Sequence, residues 1–232
     1  MLFLDILKGA FQIFADKWQI ILFEYTSKTL LLAAIAVIFG TVIGAFLAFA
    51  HMGKIKPLKW LVVAIVEFVR GTPALLQVYV IYFCLPMLFP QMNRMDPIIS
   101  AFICAAVALT LNSAAYVSEI IRSGIEAVDK GQTEAARSLG LNGATTMVEI
   151  VLPQAVKNIL PALGNEFITI IKETSLASTF FIGELMTQYH IIVGKTHNSL
   201  PILMIIGIVY FILNFVLSKA LGAFERRMKA HA

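Results

Sequence analysis

The chain has 232 residues, 59% of them A, V, I, L, M, F, W, Y or C and 14% D, E, K or R. A soluble domain carries roughly 45–50% apolar and about 25% charged residues. With a mean hydropathy of +0.85 there is too little polar surface to enclose a water-soluble core. At about 20 residues per helical span, this length allows about five or six spans and leaves little for a soluble catalytic domain. The net charge of +4 does not mark a nucleic-acid surface, because basic residues cluster only at 54–59 and 219–229, each flanking an apolar run as cytoplasmic loops do.

Residues 2–18 predict an amphipathic helix lying in the membrane interface. Asp5, Lys8, Gln12 and Asp16 share one stripe, with Leu4, Leu7, Phe11 and Phe14 opposite. With two acidic residues and no basic start, this segment does not read as a secretory signal peptide. The first span is expected over 26–50, where Gly40-x-x-x-Gly44 permits close helix contact. The second, 58–89, is interrupted by Glu67, Arg70, Gly71 and Pro73. Pro73 removes one backbone bond and disfavours helical geometry before it, so a break is expected at 70–73. A third span follows over 97–119, then the one long polar stretch, 122–156, a cytoplasmic loop. The fourth span is expected over 157–173 and the fifth over 200–222. Between them, 176–193 reads as an interfacial loop with a short helix, carrying Gly183, Glu184 and His190. Cys84 and Cys104 lie in apolar runs and read as two buried thiols, with no metal spacing.

Orientation follows from lysine and arginine. One side gathers Lys54, Lys56, Lys59, Arg122, Lys130, Arg137, Lys157, Lys219, Arg226, Arg227 and Lys229. The other gathers Lys8, Lys17, Lys28, Arg94, Lys172 and Lys195, and Arg70 lies within a span. The richer side is expected to be cytoplasmic, which puts the N-terminus outside and the C-terminus inside a multi-pass protein of the plasma (cell inner) membrane.

Within the polar loop, Glu134-Ala135-Ala136 is followed by Gly140, Ile150 and Leu152-Pro153. The segment 132–139 is rich in helix formers, with Gly140 placed to end the helix and small alanines that let another surface approach. This resembles the EAA loop of ABC-importer membrane subunits: EAA, three residues, Gly, nine residues, Ile, one residue, Leu-Pro. Glu67-Phe-Val-Arg-Gly-Thr-Pro73 followed by Gln77, and residues 112–125 (NSAAYVSEIIRSGI), resemble the polar amino-acid branch of that family. The resemblance runs from about residue 20 to the C-terminus. It implies an all-α integral membrane protein, a single type I ABC importer permease-like domain over 1–232. It also implies that Glu134, Ala135, Ala136, Arg137, Gly140 and Leu141 form a coupling helix for a separate ATPase. The implied partners are two such ATPase subunits, a second permease subunit, identical or similar, an extracytoplasmic amino-acid-binding protein, the amino-acid substrate and membrane lipid. The implied subunit has no catalytic residues and no cofactor of its own, ATP and Mg being held by the ATPase.

The residues fit that division of labour. Gly194-Lys195-Thr196 looks like the tail of a phosphate-binding loop, but the position that must be glycine is Tyr189. His51, His190, His197 and His231 are scattered and form no triad or metal pattern.

Ionisable groups inside a bilayer are functional candidates by default. Arg70 lies about 18 Å along its span and Glu166 about 14 Å along the fourth, both near the middle of a core about 30 Å thick. Asn112, about 22 Å from the outer end of its span, reaches a similar level. Arg70 can clamp a carboxylate bidentately. Glu166, with Asn165, can accept from an ammonium or cationic side chain, and Thr72, in the break, is a further substrate-binding candidate. Glu67, three residues from Arg70, is equally placed to pair with it. In that arrangement the two neutralise each other, and Glu166 pairs with Lys172 or a partner subunit. The rival functional class is an ion-gradient-driven secondary transporter using Glu67 and Glu166 as ion sites, although no internal repeat of two halves is visible.

Overall fold

A computed structural model describes residues 9, 12, 15–197 and 199–230. Most of the helix expected over 2–18 lies outside the described residues; residues 15–18 run straight into the first long helix. That helix, α1, spans Ala15–Met52 and contains one wide turn at Ile20–Tyr25, where Thr26 Oγ1 donates to Ile21 O at 2.8 Å. Among the described residues the other helices of nine residues or more are α2 (Lys56–Arg70), α3 (Ala74–Leu88), α4 (Pro97–Glu126), α5 (Lys130–Ser138), α6 (Leu152–Glu173), α7 (Leu185–Thr196) and α8 (Ser199–Ala230).

The centre of the bundle is α4. It starts cleanly because Asp96 accepts from Ile98 N at 2.8 Å and Ile99 N at 3.2 Å, with Pro97 in the first turn. Fifteen of its residues are buried, mostly alanine, serine and other small types. Small residues let backbones approach closely where lipid offers no hydrophobic drive between helices. The facing stripe of α1 is equally small: Ala33, Ala36, Gly40, Gly44 and Ala48. A Cβ on Gly40 would meet Ser113 Oγ at 2.9 Å, and one on Gly44 would meet Ala114 O at 2.7 Å. The close contact expected of the Gly-x-x-x-Gly pair is therefore between α1 and α4. Because the obstacle at Gly44 is backbone, no rotamer relieves it. Gly44→Ala is expected to destabilise the subunit by about 1–3 kcal/mol, read as a lower thermal midpoint of the purified protein. An unchanged midpoint would show that the two helices part freely.

The stretch 58–89 is broken where Pro73 predicts. The axes of α2 and α3 differ by 106° across Gly71-Thr72-Pro73. By length and composition α1, α4 and α8 can each cross a membrane, and α2 with α3 adds a fourth crossing if the bent pair is one span. The expected fourth span, 157–173, is the greater part of α6, which contains Lys157, Asn158, Asn165 and Glu166 and does not qualify by that measure. Its buried face, including Ile159, Glu166 and Ile170, turns inward, so Glu166 is held inside the protein while Lys157, Asn158 and Asn165 stay exposed.

Residues 176–193 are not simply laid on a surface. The tight turn Thr174–Phe180 and α7 pack into the bundle, with Ile182, Leu185 and Glu184 fully enclosed. Phe180 stacks on Tyr82 with centroids 3.8 Å apart and meets Tyr79 edge-on at 4.9 Å. Outward faces are strongly apolar: Phe46, Trp60, Phe68, Leu88 and Phe211 are all exposed, as befits contact with lipid. Cys84 belongs to that outward set. Cys104 is buried but Cys84 is exposed, because α3 is apolar on all sides and presents one of them outward.

Candidate functional site

Three of the expected mid-depth residues converge on one turn of α4, residues 112–116. The Arg70 guanidinium lies over the Tyr116 ring, 5.6 Å from its centroid. Asn112 Nδ2 donates to Gln77 Oε1 at 3.0 Å. Glu166 faces Ser113 across the α4–α6 contact, and neither Glu166 Oε1 nor Ser113 Oγ, both buried, completes a hydrogen bond. Asn112 Oδ1 and Arg70 Nε are also buried and unpartnered. Buried polar atoms are normally satisfied, and those left open at one place mark a strained or functional site.

The pairing of Arg70 with Glu67 exists but is loose: Nη1 to Oε1 is 3.7 Å, and the Glu67 side chain is 69% exposed. Among the described residues no lysine or arginine pairs with Glu166; Lys172, the alternative partner within the chain, is exposed. Asn165 is exposed on α6 and is not drawn to this turn. Thr72 is spent on the helix break, donating to Phe68 O at 3.0 Å and Val69 O at 3.3 Å.

Two residues emerge that were given no role. Gln77 bridges the break to Asn112. Glu184 caps α7, accepting from Met186 N at 2.7 Å and from Thr187 N at 2.6 Å and Oγ1 at 2.9 Å, and takes the Tyr210 hydroxyl at 3.3 Å. Burial pushes its carboxyl above the ordinary carboxylate range, while those donors pull it down. Together with the Leu185 N donation to Thr29 Oγ1 at 2.9 Å, it ties α7 to α1 and α8. The half-buried Glu173 follows Glu166 by two turns and has an enclosed, unpartnered Oε2.

The polar loop folds into a separate small unit. Asp129 starts α5 by accepting from Gly131 N at 2.7 Å. Its end is closed by two bonds, Leu141 N to Ala136 O at 3.1 Å and Gly140 N to Arg137 O at 3.0 Å, with Gly140 left-handed at φ +86°. This pairing, six-to-one outside five-to-two, is the glycine-terminated stop that the sequence predicts. Arg137 Nη1 donates to Leu141 O at 3.1 Å and braces the turn. Ala136 is buried against the wide turn Thr146–Val151. Glu134, Ala135, Arg137 and Gly140 stay exposed. So does Leu139, 83% exposed, an apolar side chain at the tip that the sequence reading passed over.

With this geometry in place, comparison with known proteins is direct. Residues 40–230 match the family described as binding-protein-dependent transport system inner membrane component. The arginine transport system permease protein ArtQ of Bacillus subtilis (strain 168) is 39% identical over 208 residues, 90% of this chain and 92% of that protein. A putative glutamine transport system permease protein, GlnP of Rickettsia bellii (strain RML369-C), is 40% identical over 205 residues, 88% and 91%. A crystal structure of an amino acid ABC transporter with histidines contains a chain 42% identical to this one, with TM-score 0.85, covering 93% of this chain and 97% of that one. The secondary-transporter reading is set aside by these matches. The chain is a membrane-spanning permease subunit that belongs to the binding-protein-dependent transport system inner membrane component family, among the amino-acid permeases of ABC transporters.

Proposed function

We propose that two permease subunits, this chain with an identical or similar one, enclose a pathway that brings a polar or cationic amino acid into the cell. Two ATPase subunits, which hold ATP and Mg, dock at α5 and its closing turn, on Glu134, Ala135, Arg137, Gly140 and Leu141, with Ala136 buried beneath them to hold the helix in place. An extracytoplasmic binding protein delivers the substrate on the side of the N-terminus, and the C-terminus is cytoplasmic. ATP binding opens the pathway outward and hydrolysis resets it, so substrate moves by alternating access without covalent chemistry on this chain.

The observation that carries the substrate reading is the open acceptor on Glu166, buried and unpartnered opposite Ser113, the neighbour of Asn112 on α4. A buried carboxylate without a cation is costly unless something supplies the positive charge, and an amino-acid ammonium or cationic side chain does so. Arg70, held loosely by Glu67, turns to the substrate carboxylate, with Thr72 shaping the break between them. The test is uptake by proteoliposomes containing this chain with and without its ATPase, across an amino-acid panel. ATP-dependent uptake that survives an uncoupler is expected; gradient-driven uptake by this chain alone would sink the reading.

A further inference from the structure

Gln77 lies in the first turn of α3, directly after the break. The break at Gly71-Thr72-Pro73 frees backbone carbonyls at the end of α2, since Pro73 has no N–H to offer. The Gln77 amide fills that gap. Its Nε2 lies 2.7 Å from Val69 O, 3.2 Å from Thr72 O and 2.9 Å from Thr72 Oγ1. Two of these partners are carbonyls, which only accept, so the amide nitrogen must face them. The opposite end of Gln77 is therefore always an oxygen.

That constraint passes on. Facing Gln77 Oε1 at 3.0 Å, Asn112 must turn its own nitrogen toward it. The Asn112 oxygen is then left free, and it is buried and unpartnered, as are Ser113 Oγ and Glu166 Oε1. Asn112 is otherwise free to present either end, because an amide carries a donor and an acceptor with nearly the same shape. Here backbone carbonyls more than one residue removed decide which end it presents.

Building on the proposed substrate site, we infer that Gln77 is a positioning residue that fixes the polarity of that site. It obliges Asn112 to offer an acceptor, so the place beside Asn112 takes a donor group, an ammonium, guanidinium or amide N–H, and rejects a carboxylate. Gln77 acts through Asn112 and does not touch the ligand.

The test measures binding of labelled L-arginine, L-glutamine and L-glutamate to the assembled permease–ATPase complex in nanodiscs, without the binding protein. Asn112→Ala weakens the preferred ligand about tenfold. Gln77→Met, which keeps length and removes the amide, weakens it by a similar factor and narrows the preference against L-glutamate. The double variant is no worse than either single one, because both remove the same oriented group. Asn112→Asp leaves the helix break untouched and provides an independent check. Its carboxylate offers an acceptor whether or not Gln77 dictates the orientation, so L-arginine binds at least as tightly as in wild type and L-glutamate more weakly. If Asn112→Asp loses L-arginine as Asn112→Ala does, or Gln77→Met binds as wild type while Asn112→Ala does not, or the two losses multiply in the double variant, the inference falls and the site reading stands. If Asn112→Ala binds all three ligands as wild type, the site reading falls and the inference with it.

Discussion

Glu166→Gln is expected to lower substrate affinity by about 10- to 150-fold, the worth of a hydrogen bond to a charged group, roughly 1.5–3 kcal/mol. The same change is expected to leave the thermal stability of the substrate-free complex unchanged or to raise it. Both halves follow from the same geometry. Glu166 is 8% exposed, its Oε1 has no partner, and among the described residues no cation answers it. In the empty state its charge is a desolvation cost with no return, which a neutral amide of the same shape relieves. Had Glu166 been one half of an internal ion pair, removing it would strand a buried cation and cost about 3–5 kcal/mol of stability. The two readings therefore move the melting temperature in opposite directions. Substrate binding to the assembled complex together with its thermal midpoint separates them, and a large stability loss with unchanged affinity would assign Glu166 to structure. Arg70→Ala is the companion variant, and its loss of affinity should fall on ligands with a free carboxylate and spare their methyl esters.

How much of this was legible in the residues depends on the range of the forces involved. The stop of α5 was legible because it is local: Gly140 is required by a left-handed turn that needs only neighbours three and four residues away. The break at 70–73 was legible because Pro73 acts on its own backbone. Its direction was not. Nothing near Pro73 encodes a 106° turn, which is set by where α3 finds packing against α4 and the turn carrying Phe180. Glu166 stood out as a polar residue in an apolar run, but Asn165 beside it did too, and only the facing of α6 shows that one is buried and the other exposed. Glu184 was hidden because glutamate is not among the preferred helix starters and its burial depends on Tyr210 and Thr29 from distant segments. Cys84 was misread for a reason particular to membranes. Lipid tails are as apolar as leucine, so a residue facing lipid and one facing the core have the same sequence signature.

The coupling loop leads to the other large effect. Gly140→Val is expected to abolish transport while leaving the membrane bundle folded. At φ +86° a residue with a side chain costs about 1–2 kcal/mol, and a branched one more. No atom lies within 4 Å of where a Cβ on Gly140 would sit, so the penalty comes from the backbone alone and not from a clash. The cheapest relief is to unwind the turn, which breaks the bonds of Gly140 N and Leu141 N to the end of α5 and removes the Arg137 brace on Leu141 O. Leu139, Ala135 and Glu134 then lose the fixed arrangement that the proposed ATPase contact requires, whereas Ala136, buried against 146–151, still holds the helix to the subunit. Asparagine tolerates the left-handed conformation, so Gly140→Asn should retain most of the activity, which a loss of space or of bulk tolerance would not permit. Co-purification with the ATPase and amino acid moved per ATP hydrolysed are the measurements. Equal failure of the valine and asparagine variants would show that Gly140 is needed for close approach of the partner surface, in place of the conformation of its own turn.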